Sequence, residues 1–122
     1  MALLVIDDEK DCRESLGELL RLAGHKVITA DCGEEALKVL RNNNISLMLV
    51  DLIMPKMSGE EFIKKAWGEG HIVPVLVVTA VSPWKTAGIT ELGIGYIRKP
   101  YDSKMLLGVV ETLLKKTGGD MG

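Results

Sequence analysis

Four places along the chain carry side chains suited to metal or phosphoryl chemistry: the acidic pair Asp7-Asp8, a lone Asp51, the hydroxyl of Thr79 and the ammonium of Lys99. Each ends or follows a short apolar run, namely residues 2–6, 45–50, 75–78 and 96–97. Runs of this length read as strands buried on both faces. Acids at the ends of neighbouring strands converge at one rim. Three crowded carboxylates either raise a pKa among themselves or recruit a cation. All the candidate ligands are oxygens, and no Cys or His stands beside them in sequence, so Mg²⁺ suits the set better than Zn²⁺. Mg²⁺ uses one or two carboxylates and leaves its other positions to water and phosphate. An oxygen of Asp51 then stays free to attack phosphorus as a carboxylate nucleophile. Thr79 offers the incoming group a hydrogen-bond donor and Lys99 a compensating charge.

Taken singly, each residue has a plainer role. Asp7-Asp8 suits a strand-end turn or helix cap, and Asp51 a cap. Thr79 suits a strand because it is β-branched, and Lys99 suits a solvated surface. Their coincidence at successive strand ends favours the chemical reading.

The elements that must position them follow from hydrophobic periodicity. Strands are predicted at residues 2–6, 26–30, 46–50, Val75 to Thr79 and Tyr96-Ile97. Cys12, Leu16, Leu19, Leu20 and Ala23 recur at helical spacing before Gly24. Ala36, Leu37 and Leu40 mark a second helix ending in Asn42-Asn43-Asn44, and Glu60 to Trp67 a third, with Phe62 and Trp67 in the core. Ser82-Pro83 opens a weak fourth helix, with Gly88 and Thr90 inside it, where glycine is costly, and Gly93 ending it. Asp102 or Ser103 caps a last helix with Leu106, Leu107, Val110, Leu113 and Leu114 on one face. Five βα units imply a parallel sheet covered on both sides. The expected fold is α/β, a flavodoxin-like (βα)5 three-layer sandwich with strand order 2-1-3-4-5. One domain is expected over 1–117, with a flexible tail at 118–122.

Composition narrows the function classes. With 47% hydrophobic and 26% charged residues, the 122-residue chain reads as soluble and globular. Its net charge of −2 gives no broad attraction for nucleic acid or an anionic membrane. No apolar run is long enough to span a bilayer, and no signal peptide is evident. Cys12 and Cys32 lack metal-ligand or CxxC spacing and read as reduced thiols, consistent with a cytoplasmic protein. His25 and His71 read as structural or solvated. No histidine falls at the rim, so no catalytic histidine is assigned.

Val5-Ile6-Asp7-Asp8-Glu9, Val50-Asp51-Leu52-Ile53-Met54-Pro55, Val78-Thr79-Ala80 and Tyr96-Ile97-Arg98-Lys99-Pro100 resemble the signature of the receiver domain of two-component response regulators, of the chemotaxis-regulator type. The resemblance covers essentially the whole chain. It implies that Asp51 is the phosphoacceptor, served by a histidine of a sensor kinase or phosphotransfer protein. It implies that Asp8 and Asp51 ligate Mg²⁺ directly, Asp7 mainly through water, and Ile53 through its backbone carbonyl. Thr79, Ala80 and Lys99 would hold the phosphoryl group. The Lys99–Pro100 bond would be cis. Tyr96 would be the switch aromatic that turns inward when the Thr79 hydroxyl moves to the phosphate. The expected product is a cytoplasmic signalling switch rather than an enzyme. Its helix 4, strand 5 and helix 5 face would control an unidentified output partner, with no direct nucleic-acid or membrane contact. It would be a monomer or a phosphorylation-linked dimer, Arg98 and the last helix being candidates for the contact.

Two positions depart from the polar residues that many members carry: Ile53, two residues past the acceptor, and Val81, two past Thr79. Neither can hold an attacking water, which predicts slow self-dephosphorylation. The glycine-rich stretch 81–95 is expected to be the least stable segment, and Trp84 beside it serves either packing or a partner. Two other classes remain. A Mg²⁺-dependent phosphohydrolase with an aspartyl-phosphate intermediate would want a second acid at the Ile53 position. A degenerate receiver used only for binding would lack key residues that are all present here. A flavin site is disfavoured, since the loop after the first strand is acidic where a phosphate cradle is needed.

Overall fold

The computed structural model describes residues 1–80 and 95–118. Five parallel strands form one sheet: β1 (Ala2–Ile6), β2 (Val27–Ala30), β3 (Ile45–Val50), β4 (Val75–Thr79) and β5 (Gly95–Arg98). Their spatial order is β2-β1-β3-β4-β5, the 2-1-3-4-5 arrangement expected from the sequence. Four helices are described: α1 (Lys10–Leu22), α2 (Gly33–Asn42), α3 (Gly59–Gly68) and α4 (Ser103–Gly118). The helix expected between β4 and β5 lies outside the described residues, as do Val81, Trp84, Gly88 and Gly93. So do the tail residues beyond Gly118.

Both faces of the sheet are covered. Ala2, Leu4 and Ile6 of β1 pack with Met48 and Val50 of β3 and Val75 and Val77 of β4 on one side, under Ala36, Leu37 and Leu40 of α2 and Phe62, Ile63 and Ala66 of α3. Leu3, Val5, Leu47, Leu49, Leu76 and Val78 face the other side and meet Leu16 and Leu20 of α1 and Leu106 and Val110 of α4. This is the period of two that a pleated strand imposes. It explains why the central strands read as continuous apolar runs, since each residue finds a core on whichever face it points to. Trp67 is half-buried against the first cluster and donates its ring N–H to the Val73 carbonyl at 3.2 Å.

Helix ends follow local chemistry. Past α1, Gly24 takes a φ of +98°, its amide donates to the Arg21 carbonyl, and the His25 amide donates to Leu20. Past α3, Gly70 takes a φ of +94°, with Gly70 donating to Trp67 and His71 to Ala66. Both are left-handed glycine caps with paired reverse bonds. Each histidine occupies the position just after such a glycine, which places both at helix ends away from the carboxylate rim. Ser58 caps α3 by accepting the Glu61 amide at 3.1 Å. Asp102, rather than Ser103, caps α4: its Oδ1 accepts the amides of Lys104 at 2.8 Å and Met105 at 3.1 Å. Among the described residues no helix is long and apolar enough to cross a membrane.

Candidate functional site

Sheet register delivers the site. Ile6 stands beside Ala30 on one side and Val50 on the other. The ladder then runs one step further: the Asp7 amide donates to Ala30 at 3.2 Å and the Asp51 amide to Ile6 at 3.0 Å. Asp7 and Asp51 therefore leave the sheet at the same level. Thr79 pairs with Arg98, and the Lys99 amide donates to the Thr79 carbonyl at 2.9 Å. Four strand ends thus bring four functional positions to one rim, where open parallel sheets place their chemistry.

The side chains meet. Lys99 Nζ donates to Asp7 Oδ2 at 2.7 Å and to Asp51 Oδ2 at 2.8 Å. Asp51 Oδ1 accepts the Thr79 hydroxyl at 2.8 Å and the Ile53 amide at 3.0 Å. Asp7 is 4% exposed and Thr79 fully buried. Burial would pull the Lys99 ammonium down, but the hydrogen-bonded carboxylates of Asp51 and Asp7 outweigh it and hold the group well above the ordinary lysine range. The ammonium is the resident counter-charge for the buried Asp7 and the partly buried Asp51, and a buried acid needs such a partner.

Asp8 is exposed, and among the described residues no side-chain hydrogen bond engages its carboxylate. Asp7, Asp8 and Asp51 each offer an oxygen, and the three atoms lie within 4.8 Å of one another. That spacing and an all-oxygen donor set fit a hard divalent cation with bonds of about 2.1 Å. Asp8 and Asp51 open onto a solvent-facing cleft of about 440 Å³ lined also by Glu9, Ile53, Ala80 and Lys99. The Ile53 side chain stands 61% exposed at its edge. A second cavity, of about 580 Å³, lies on the α1 side of Lys99 between Cys12, Ser15, Leu16 and Tyr101. Burial pushes both the Cys12 thiol and the Tyr101 phenol up.

Lys99–Pro100 is a cis peptide bond. Tyr96 is half-buried and packs on the α2–α3 side of the sheet. Its hydroxyl is buried and has no hydrogen-bond partner among the described residues.

Two residues that support the rim, and one grouping elsewhere, escaped sequence reasoning. Gly59 packs on the Asp51 backbone, and its signal was its place beside the α3 cap. Arg13 donates from Nη1 to the Asp7 carbonyl at 2.9 Å, which only the path of the chain after β1 makes visible. Cys32, expected to have no ligating neighbours, lies grouped with Asp31 and Glu35, an arrangement created by the first turn of α2.

The match to known proteins is extensive. Residues 3–111 fit the family described as response regulator receiver domain. The response regulator MprA of a Mycobacterium species is 35% identical over 98% of this chain, which spans 53% of that protein. The probable transcriptional regulator ycf27 of Cyanidium caldarium is 35% identical over 93% of the chain and 46% of its own length. The chain thus spans about half the length of these curated relatives. Among solved structures, the chemotaxis protein CheY4 of Vibrio cholerae superposes with a TM-score of 0.84 at 30% identity, covering 93% of this chain and 98% of that one. The response regulator TrrA of Thermotoga maritima, solved in complex with Mg²⁺ and BeF, gives 0.81 at 31% identity, covering 93% and 99%. With the rim built from four strand ends and the family matched from β1 into α4, the chain belongs to the response regulator receiver domains of two-component signalling.

Proposed function

We propose that Asp51 accepts a phosphoryl group from a phosphohistidine of a sensor kinase or phosphotransfer protein, and that this switches the face of β5 and α4. The observation that carries the reading is the convergence of Thr79, Lys99 and the Ile53 amide on the two oxygens of Asp51. A carboxylate oxygen of Asp51 bonds to phosphorus as the P–N bond to the donor imidazole breaks, and the departing ring takes a proton from solvent. Lys99 is already paired to Asp51 and moves with little displacement to an equatorial phosphoryl oxygen. The Thr79 hydroxyl exchanges its bond to Asp51 Oδ1 for one to the phosphoryl group, and the Ala80 amide adds a second donor.

The metal position is assigned to Asp8 and Asp51 as direct ligands, Asp7 through water and the Ile53 carbonyl. Asp7 suits the indirect role because both its carboxylate oxygens are engaged, by the Glu9 amide at 2.9 Å and by Lys99. When bound, Mg²⁺ neutralises charge between the carboxylates and the incoming phosphoryl oxygens. Withdrawal of the Thr79 hydroxyl from its present bond loosens the strand end beside Tyr96. That aromatic, whose buried hydroxyl has no hydrogen-bond partner among the described residues, is the side chain that changes state. Asp51 and its neighbours catalyse only this self-modification and its reversal, so the chain is a signalling domain and not an enzyme acting on external substrates. A cytoplasmic location and an output partner follow from the same reading. The net charge of −2 argues against direct nucleic-acid contact by this segment.

Incubation with Mg²⁺ and acetyl phosphate, followed by intact mass measurement, tests the assignment. A gain of one phosphoryl group in the wild type and none in Asp51→Asn supports it. An adduct that persists in Asp51→Asn, or one formed equally in EDTA, overturns it.

A further inference from the structure

Asp7 is fixed at four points: its amide donates to Ala30, its Oδ1 accepts from Glu9, its Oδ2 accepts from Lys99, and its carbonyl accepts from Arg13. The first three belong to the sheet, the turn and the rim. The fourth is a half-buried arginine on the first turns of α1, reaching back across the loop. The peptide unit is planar, so gripping the Asp7 oxygen fixes the whole plane from Asp7 to Asp8. From that plane hang both carboxylates of the β1–α1 turn.

The guanidinium is not isolated. The charge of Arg13 reaches Asp31 and Glu35, at the junction of β2 and α2, and favours the ionised form of each. These two carboxyls share a hydrogen bond, which lowers the Asp31 pKa and raises that of Glu35. With Cys32 they form a compact group.

We propose that Arg13 is a positioning residue for the cation site: through its hydrogen bond to the Asp7 carbonyl it locks the Asp7–Asp8 peptide plane and so presents the Asp8 carboxylate toward Asp51. This rests on the metal assignment made above. Arginine suits the task because its rigid planar fork holds a carbonyl in a fixed direction, which a lysine ammonium on a flexible stem does less well. Partners that orient ligands without touching the metal commonly change affinity by one to two orders of magnitude.

Isothermal titration of Mg²⁺ into wild type, Arg13→Ala, Arg13→Lys and Asp51→Asn tests it, at a temperature where circular dichroism shows each variant folded. The expected result is an Arg13→Ala dissociation constant about tenfold above wild type, with Arg13→Lys in between. An Arg13→Ala constant within twofold of wild type overturns the proposal. Should Arg13→Ala not fold, Arg13→Lys decides: an unchanged constant there overturns it. Absence of Mg²⁺ binding by the wild type overturns the metal assignment itself, so the two failures are distinguishable.

Discussion

Gly59 lies directly against the backbone of Asp51. A Cβ on Gly59 would overlap the Asp51 carbonyl oxygen and crowd the Leu52 Cα, and the Gly59 amide donates to the Leu52 carbonyl at 3.0 Å. The first residue of α3 is therefore part of the seat of the central acid. Gly59→Ala is expected to destabilise the fold by about 2 kcal/mol or more, since backbone cannot step aside as a side chain can. Gly33 provides the control. Its Cβ would meet Met57 Sδ at 2.6 Å, the far part of a flexible side chain that can swing away. Urea denaturation should show Gly33→Ala costing clearly less than Gly59→Ala, and equal costs would remove Gly59 from the account of the site.

Lys99 offsets two acids at once. Replacing it by methionine leaves Asp7 and Asp51 facing each other without a cation. The expected loss in EDTA is about 3 kcal/mol, the low end for breaking a buried pair. Added Mg²⁺ should then raise the melting temperature of Lys99→Met by more than it raises that of the wild type. The sign of the pH dependence follows from the raised pKa of Lys99. Its contribution is complete at and below the ordinary lysine range and is lost only as pH climbs above it. Between pH 6 and 9 the stability difference between Lys99→Met and wild type should therefore show no decline caused by lysine deprotonation.

Ile53 projects its side chain into solvent at the edge of the acidic cleft. Ile53→Asn places an amide there that can orient water. The phosphoryl half-life, read by mass measurement after removal of the donor, should shorten severalfold. Stability should change by no more than about 0.5 kcal/mol, as for most exposed positions. An unchanged half-life would count against Ile53 as a determinant of phosphoryl lifetime.

Cys12 faces the cavity on the α1 side of Lys99, and burial raises its pKa. In a Cys32→Ser background, its alkylation rate should rise with a pH midpoint above that of an ordinary thiol and should lag behind the denatured chain at neutral pH. A midpoint at or below the ordinary value would mean that Lys99, whose charge acts in the opposite direction, dominates the local field.

The sheet was legible because its strands are apolar runs bounded by acids, asparagines, prolines and glycines. Their ends were correct to within a residue: β2 begins at Val27 rather than 26, and β3 at Ile45 rather than 46. Asp7, Asp8, Asp51, Thr79 and Lys99 stood out because strand order converts position along the chain into position at a rim. Arg13 did not stand out. Its partner is a backbone carbonyl, which leaves no mark on residue type, and an arginine on a polar helix face has an ordinary explanation in solvation. Gly59 was hidden for a related reason. A glycine at a helix start reads as a loop terminus, and only the approach of the Asp51 backbone shows that the space for a Cβ is already filled.

The alternation of β3 between two cores has a further consequence. Sliding the strand by one residue would turn each core-facing side chain to the opposite layer. Sliding it by two would restore the facing but carry Asp51 by about 7 Å along the sheet, beyond reach of the Lys99 ammonium. The sheet therefore behaves as a ratchet with no permissible intermediate tooth. Between Leu47 and Val50 insertions and deletions are forbidden by packing before chemistry is consulted; the register irregularity against β1 falls at the opposite end, between Ala2 and Leu3, away from the rim.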